Sequence, residues 1–388
     1  MFRFLTAGES HGRGLVAIVE GVPAGLALDE EYIARHLKRR QGGYGRSARM
    51  DIERDRAEIL SGVRHGLTIG SPISLLIRNR DWENWQEVMA VSPVEREIEP
   101  ITRPRPGHAD LAGAIKYGLG DIRPILERAS ARETAARVAV GAVARRLLQE
   151  FGIEIHSHTI AIGGVKAKEG RNIDWAQFEK KVEKSPVRCA DPDAEREMMA
   201  AIDKAKEAGD TVGGIFQVIA TSVPIGLGSH VHWDRRLDGR IAQAMMSINA
   251  VKGVELGAGF SLAELKGSQA HDIIHFDKAK RKWHHASNRA GGIEGGITNG
   301  EPIVVNAVVK PIPTLAKPLP SVDMKTGEVV EAHFERSDVC VVPSAAVIGE
   351  AMLAIVLASA LLEKFGGDHL KETLHNYQGY LDSIAKRS

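Results

Sequence analysis

A pattern of glycines and prolines occurs twice in the chain and limits its architecture more than any other feature. Gly8-x3-Gly12-x9-Val22-Pro23-x-Gly25-Leu26 returns with the same internal spacing as Gly209-x3-Gly213-x9-Val223-Pro224-x-Gly226-Leu227. Gly66-x-Thr68-x-Gly70-x-Pro72-Ile73 returns as Gly296-x-Thr298-x-Gly300-x-Pro302-Ile303. Two apolar runs close alike, with Leu147-Leu148-x-x-Phe151-Gly152 and Leu361-Leu362-x-x-Phe365-Gly366, and each follows a Glu-Arg pair, Glu127-Arg128 or Glu335-Arg336. Gly-Pro turns recur wherever strands end, so a single match carries little. Matches that keep the same order point to an ancient duplication. The 388 residues then form one catalytic domain, 1–388, with pseudo-repeats of about 1–200 and 201–388. A prior of about 150 residues per domain would instead give two or three separate units. Two pseudo-repeats around one core place a site between them, each half supplying an Arg ahead of its long helix.

Within that frame the chain alternates short strands with helices, an α+β composition. Runs rich in β-branched residues predict strands at 15–20, 69–77, 153–162, 215–221 and 302–309. Helical periodicity covers 30–40, 132–151, 194–208, 240–248 and 345–365. Two long aperiodic stretches, 81–106 and 311–338, read as lids over a site rather than as passive connectors. The run 345–362 is long enough to raise the question of a membrane span, but Glu350 lies inside it and no aromatic belt flanks it. A buried helix is expected there, with no membrane partner. The opening MFRFLTAGES has no signal-peptide character, and two cysteines, Cys189 and Cys340, fit a reducing compartment. A soluble cytoplasmic protein is expected.

Charge narrows the function. Lys+Arg total 51 against 50 Asp+Glu, a formal net charge of +1, so neither a nucleic-acid coat nor an acidic solvating chain is indicated. An anion site must come from local clustering. The window 35–56 holds eight Lys/Arg against Asp51, Glu53 and Asp55, with Gly42-Gly43 and Gly45 between them. Glycine turns let Arg39, Arg40, Arg46 and Arg49 converge, and the planar guanidinium fork suits carboxylates and phosphates. A solvated helix face followed by a loop is the competing reading, which explains the glycines less well.

Further clusters carry titratable groups. Gly8-Glu9-Ser10-His11-Gly12 sets a hydroxyl and an imidazole on a tight turn. Gly12-Arg13-Gly14 opens a strand-like run, which excludes a dinucleotide-binding fingerprint because that motif must open a helix. In Arg103-Pro104-Arg105-Pro106-Gly107-His108-Ala109-Asp110, prolines hold Arg105 and His108 in fixed directions. Ser130 and Glu133 form a capping box, and the helix start they predict is flanked by Arg128 and Arg132. The glycine-rich run 290–300, followed by Lys310-Pro311-Ile312-Pro313-Thr314, allows close backbone approach to a flat ligand or phosphate but has no P-loop signature. His156/His158, His230/His232 and His284/His285 are isolated pairs without a metal-ligand spacing.

Taken together, these segments resemble the chorismate synthase family over nearly the whole chain. The specific pieces are GESHG (8–12), GRSARM (45–50), SGVRHGLTIGSPI (61–73), RPRPGHADLAGAIKYG (103–118) and ERASARETAARVA (127–139), then INAVKG (248–253), GGIEGGITNG (291–300), KPIPTL (310–315) and FERSDVC (334–340). The segment 160–210 is motif-poor. The resemblance implies a carbon–oxygen lyase of the shikimate pathway, which feeds aromatic amino acid synthesis. The reaction is a 1,4-anti-elimination of phosphate from 5-enolpyruvylshikimate 3-phosphate, giving chorismate with reduced FMN as cofactor. It implies a β-α-β sandwich with helices packed between antiparallel sheets, assembled as a homotetramer. By motif match, His11 protonates the leaving phosphate, His108 serves the reduced flavin near its N1, and Ser10 and Asp338 assist proton removal at N5. Arg40, Arg46, Arg49, Arg105 and Arg132 hold the anionic groups of substrate or NADP. Flavin contacts fall to Arg128, Ala129, Ser130, Asn249, Ala250, Gly295, Lys310, Pro311, Ile312, Pro313, Thr314 and Arg336, with no metal. A length close to the compact bacterial forms implies an outside source of reduced flavin, NADPH entering only as a flavin reductant.

Two readings compete with this one. A polyanion or nucleic-acid binder using 35–56 sits poorly with the balanced charge and the 5% aromatic content. A flavin-dependent oxidoreductase on the same flavin site would show net oxidation of NAD(P)H.

Overall fold

The computed structural model describes residues 2–46, 54–168, 175–279, 281–335 and 337–387. In the first half, β1 (Arg3–Ala7), β2 (Gly14–Glu20), β3 (Ala57–Ile59) and β6 (Ile73–Arg78) form an antiparallel sheet in the order β1-β2-β6-β3. The period-2 pattern decides which face turns inward: Leu15, Ala17 and Val19 are buried and stand directly opposite Ile77, Leu75 and Ile73. A second sheet combines β7 (Glu154–Ile162) and β8 (Val165–Lys166) from the end of the first half with β9 (Gly214–Thr221), β10 (Val251–Leu256) and β15 (Ile303–Val309) of the second, in the order β10-β15-β9-β7-β8. Phe216, Val218 and Ala220 are buried against Ala307, Val305 and Ile303. The segment 69–77, expected as one strand, is strand only from Ile73: a hairpin of β4 (Val63–Arg64) and β5 (Leu67–Thr68) ends before it, and residues 69–72 turn into β6. Gly70 at φ +80° and Pro72, which has no N–H to pair, separate the two.

Helices fill the space between the sheets. They are α1 (Glu30–Gln41), α4 (Thr134–Gln149), α7 (Leu237–Met246) and α8 (Val342–Phe365). The shorter α2 (Asp110–Tyr117) and α3 (Arg123–Ala129), with α5 (Trp175–Lys184), α6 (Pro192–Glu207) and α9 (Leu370–Arg387), complete the set used below. Helix α4 lies on β2 and β6, α8 lies on β7 and β9, and α4 and α8 pack on each other. This is the β-α-β sandwich, and it explains why α8 is apolar all round: every residue from Val342 to Leu362 is buried inside the protein. Gly141 permits the close α4–α8 crossing, since a Cβ there would fall 2.3 Å from the Ala351 Cβ.

The recurring sequence motifs turn out to be partners within each half. Thr68 Oγ1 donates to Pro23 O at 2.6 Å and accepts from Leu26 N–H at 2.9 Å, while Gly25 N–H donates to Thr68 O at 2.8 Å. In the second half Thr298 Oγ1 donates to Pro224 O at 2.6 Å and accepts from Leu227 N–H at 2.8 Å, and Gly226 N–H donates to Thr298 O at 2.9 Å. Thr298 sits in the hairpin of β13 (Ile293–Glu294) and β14 (Ile297–Thr298), as Thr68 does in β4–β5. Within the second half, β11 (Ile274–Asp277) and β12 (Lys282–His285) add a separate hairpin. The long aperiodic stretches carry little regular structure: a 3-10 turn at Arg80–Asn84 in the first, and a hairpin of β16 (Pro320–Val322) and β17 (Val329–Glu331) in the second.

Candidate functional site

A cavity of about 480 Å³ opens between the halves. Its wall takes Ser10 and His11 from the turn after β1, Arg40 from the last turn of α1, Arg46, and Arg105 and His108 from the turn before α2. The end of α3 and the following turn supply Ala129, Ser130 and Arg132, while Asn249 and Ala250 precede β10. Lys310, Ile312, Pro313 and Thr314 follow β15, and Asp338 stands ahead of α8. Pro311 lies in the same run but does not line the wall. Six cations face three carboxylates there, with Lys252, Glu127 and Glu335 completing the count. Local clustering thus builds a positive chamber in a chain of nearly zero net charge.

The His11 turn is held from several directions. Gly8 adopts φ +110°, and a Cβ there would lie 2.3 Å from Gly14 O, so the turn tolerates only glycine. Asn79 Nδ2 donates to Glu9 O at 3.0 Å and Gly12 O at 2.7 Å. Glu127 accepts from His11 N–H at 2.6 Å, and its Oε1 lies 2.8 Å from the ring Nδ1. The Trp85 ring stacks on the imidazole at 4.0 Å between centroids. Ser130 Oγ donates to Ser10 Oγ at 3.2 Å.

His108 is presented by the proline-stiffened turn as expected. Arg105 O accepts from His108 N–H at 3.2 Å, and Gly107 at φ +80° makes the bend. His108 Nδ1 bonds the Asp110 carboxylate, which also accepts from Arg105 Nε at 2.9 Å. Asp110 is fully buried, yet the His108 and Arg105 hydrogen bonds and the Arg105 charge outweigh desolvation and hold its carboxyl well below the usual range. Arg105 Nη1 donates across to Thr314 Oγ1 at 2.9 Å, joining the two halves.

The other arginines differ in what already occupies them. Arg132 donates to Asp55 at 2.6 Å and to Asn79 Oδ1 at 2.9 Å. Arg46 pairs with Asp338 at 2.9 Å. Arg40 donates to Thr134 Oγ1 and Ala131 O, each at 2.9 Å, but its buried Nη1 has no hydrogen-bond acceptor among the described residues. Burial, with Arg46 and Arg132 nearby and only partly offset by Asp55, pushes the Arg40 guanidinium down to about 10. It is still protonated at neutral pH, and an anion in the cavity would relieve that cost.

Of the flavin-side expectations, Arg128 and Gly295 stand outside the cavity wall. Arg128 instead donates to Gly8 O at 3.1 Å and Thr6 O at 3.2 Å. Arg49 and Arg336 lie outside the described residues. The capping box at Ser130 is half made. Ser130 Oγ accepts from Arg132 N–H at 3.3 Å, but Glu133 turns to Arg137 at 2.9 Å, so a 3-10 turn precedes α4, which starts at Thr134. Sequence reasoning missed Asp55, Asn79, Trp85, Glu127 and Asp110 as supports. Glu127 and Asp110 did lie inside quoted motifs, but nothing in spacing tells a carboxylate that binds a distant His from one that faces solvent. His156, His232 and His285 each sit near a carboxylate, yet no group of three or more metal-ligating side chains forms among the described residues.

Comparison with known proteins bears on the whole chain. A family model described as chorismate synthase matches residues 2–362. A curated "Chorismate synthase" of Moorella thermoacetica is 61% identical over 387 residues, covering 99% of this chain and all of its own length. One of Aquifex aeolicus is 56% identical over 390 residues, covering 98% of each chain. A solved "Crystal Structure of Chorismate Synthase" superposes with a TM-score of 0.81 at 48% sequence identity, covering 99% of this chain and 98% of the other.

Proposed function

Because the chain belongs to the chorismate synthase family, a carbon–oxygen lyase that forms chorismate from 5-enolpyruvylshikimate 3-phosphate, we propose that the cavity between its halves is where phosphate leaves, with reduced FMN beside the substrate. One observation carries this reading: His11, His108, Asp338 and the arginines 40, 46, 105 and 132 converge on one chamber from distant parts of the chain.

The wall fits a flavin and a polyanionic substrate. Asn249 Oδ1 is a buried acceptor with no hydrogen-bond partner among the described residues, while its Nδ2 donates to Ala129 O at 3.0 Å. An acceptor fixed in that way suits a ring imide N–H. Ala250 beside it holds φ +66°, and its carbonyl accepts from Lys310 N–H at 2.9 Å, so backbone strain sits on the wall itself. Ala129, Ser130, Ile312, Pro313 and Thr314 supply the rest of a flat face, with Arg128, Gly295, Pro311 and Arg336 assigned to the flavin by resemblance. Bound reduced FMN supplies electron density toward the carbon from which phosphate departs.

The chain's own residues then handle charge and protons. Arg40, whose Nη1 lies 3.7 Å from Asp55 and makes no hydrogen bond among the described residues, and Arg46, Arg105 and Arg132 around it take the substrate's carboxylates and phosphate, with Arg49 assigned by resemblance. His11 gives a proton to the departing phosphate oxygen. His108, held on Asp110, steadies negative charge near flavin N1. Asp338, which pairs with Arg46 at 2.9 Å, and Ser10 line the same wall and would accept the proton that the substrate loses.

The apolar pair Leu5 and Ile18, opposed across β1–β2 and exposed, supports assembly through the outer face of the first sheet, in keeping with a homotetramer. Two buried, unpaired cysteines support a cytoplasmic location. The two-halves reading rests on the shared Thr68 and Thr298 clamps and makes residues 1–388 one catalytic unit.

An anaerobic assay with 5-enolpyruvylshikimate 3-phosphate and chemically reduced FMN tests the proposal. Chorismate should form, followed by absorbance, and should not form with oxidised FMN. Folded, flavin-binding protein that makes no chorismate under reduced FMN would overturn it.

A further inference from the structure

The proposed acid, His11, touches Glu127 twice. The carboxylate accepts the main-chain N–H of residue 11 at 2.6 Å and meets its ring Nδ1 at 2.8 Å. The carbonyl of the same glutamate accepts Ser10 N–H at 3.2 Å, so residue 127 holds the backbone of both residues of the Ser-His turn as well as the His11 ring. Its side chain is 1% exposed. An ionised carboxylate only accepts hydrogen bonds, so the imidazole that bonds it must carry its proton on Nδ1. We propose that Glu127 is a positioning residue that fixes His11 with a proton on Nδ1 and leaves Nε2 as the atom that exchanges a proton with the ligand.

The surroundings distinguish this pair from His108 and Asp110. The Asp110 charge is shared with Arg105, whose Nε stands 2.9 Å away. The cation nearest Glu127 is Arg123, at 3.3 Å, and Arg123 has a closer partner in Glu335 at 2.6 Å. Glu127 therefore keeps more of its charge for the imidazole. Trp85 covers one ring face at 4.0 Å, and the Arg123 guanidinium lies 5.1 Å from the same indole, so ring rotation is blocked as well. After His11 gives up its Nε2 proton, the neutral ring is left as the tautomer that Glu127 stabilises, and no rearrangement is needed before reprotonation.

This inference rests on His11 being the acid, and the test separates the two. Nitrogen NMR of 15N-histidine protein, with His11 assigned by difference from His11→Gln, reads the tautomer directly and without turnover. Wild-type His11, when neutral, should be the Nδ1–H form. Glu127→Gln should shift the ring toward the Nε2–H form and lower kcat about 10- to 100-fold with KM changed less than about threefold, as when an orienting partner is lost. Glu127→Asp, which keeps the carboxylate, should recover part of that loss. An Nε2–H tautomer in the wild type, or an unchanged tautomer in Glu127→Gln, overturns the proposal. The wild-type spectrum decides even if the variant does not fold. A His11→Gln enzyme of normal turnover would instead remove the acid role, and the spectra would still judge the pairing.

Discussion

His11 and His108 reach the same chamber by different means: one on a glycine turn clamped by Asn79 and Glu127, the other on a proline-stiffened turn anchored by Asp110. Each is fixed by groups outside its own motif, so removing the imidazole should leave the turn intact. His11→Ala or His108→Ala should lower turnover at least about tenfold with folding unchanged by circular dichroism. Near-normal activity in both would sink these roles. Glu335 offers a different readout. Burial acts to raise its pKa, but His333, with Nε2 3.4 Å away, and the Arg123 charge win and pull it down to about 2 from an ordinary 4.5. A carboxylate depressed in the folded state contributes stability above pH 4.5 and loses it as pH falls toward 2. Acid unfolding of Glu335→Gln should therefore be flatter than wild type across that window, while the two curves run parallel above it.

Among the elements, α4 and α8 show how sequence and packing divide the work. Periodicity marks both as helices, and α8, at 342–365, begins three residues before the expected 345. Neither pattern reveals that Gly141 lies against Ala351. Gly141→Ala would press a methyl into backbone, with its Cβ 2.5 Å from Ala351 Cα, and should cost about 1–3 kcal/mol in thermal or urea unfolding. Gly379→Ala, in exposed α9 with nothing near its Cβ, should be neutral or gain up to about 1 kcal/mol. Equal effects at the two sites would mean that the crossing relaxes freely. The start of α4 shows the opposite lesson: Ser130 and Glu133 have the spacing of a capping box, but Arg137 takes the glutamate and the helix begins a turn later.

Across the whole molecule, one buried acid ties the layers together. Glu350, in the middle of α8, accepts from Arg39 of α1 at 2.6 Å, Arg145 of α4 at 2.6 Å and Ser157 of β7 at 2.6 Å, with Arg188 at 3.5 Å. Desolvation opposes its charge, but the surrounding arginines hold its carboxyl well below the usual range. Glu350→Ala would leave those arginines without their shared anion and should destabilise the fold by about 3–5 kcal/mol in urea unfolding. A loss under about 1 kcal/mol would mean that the cluster repairs itself with Glu183, which already accepts from Arg39 and Arg188. The same Glu350 marked this helix, in the sequence, as a poor membrane span. The structure supplies the reason it is tolerated.

Local rules set the strands and helices, because hydrophobic period and turn chemistry act over a few residues. They also made the repeat legible: Pro23 with Thr68 and Pro224 with Thr298 could be seen to recur, though not to bond. The candidate histidines and arginines were legible as residue types in unusual settings, and most of them reached one chamber. What surrounds each of them was decided only in three dimensions. Asp55 beside Arg132, Glu127 beside His11 and Ser157 beside Glu350 are 77, 116 and 193 residues apart. Charge pairing at such separations follows from how the sheets and helices stack, and no local pattern encodes it.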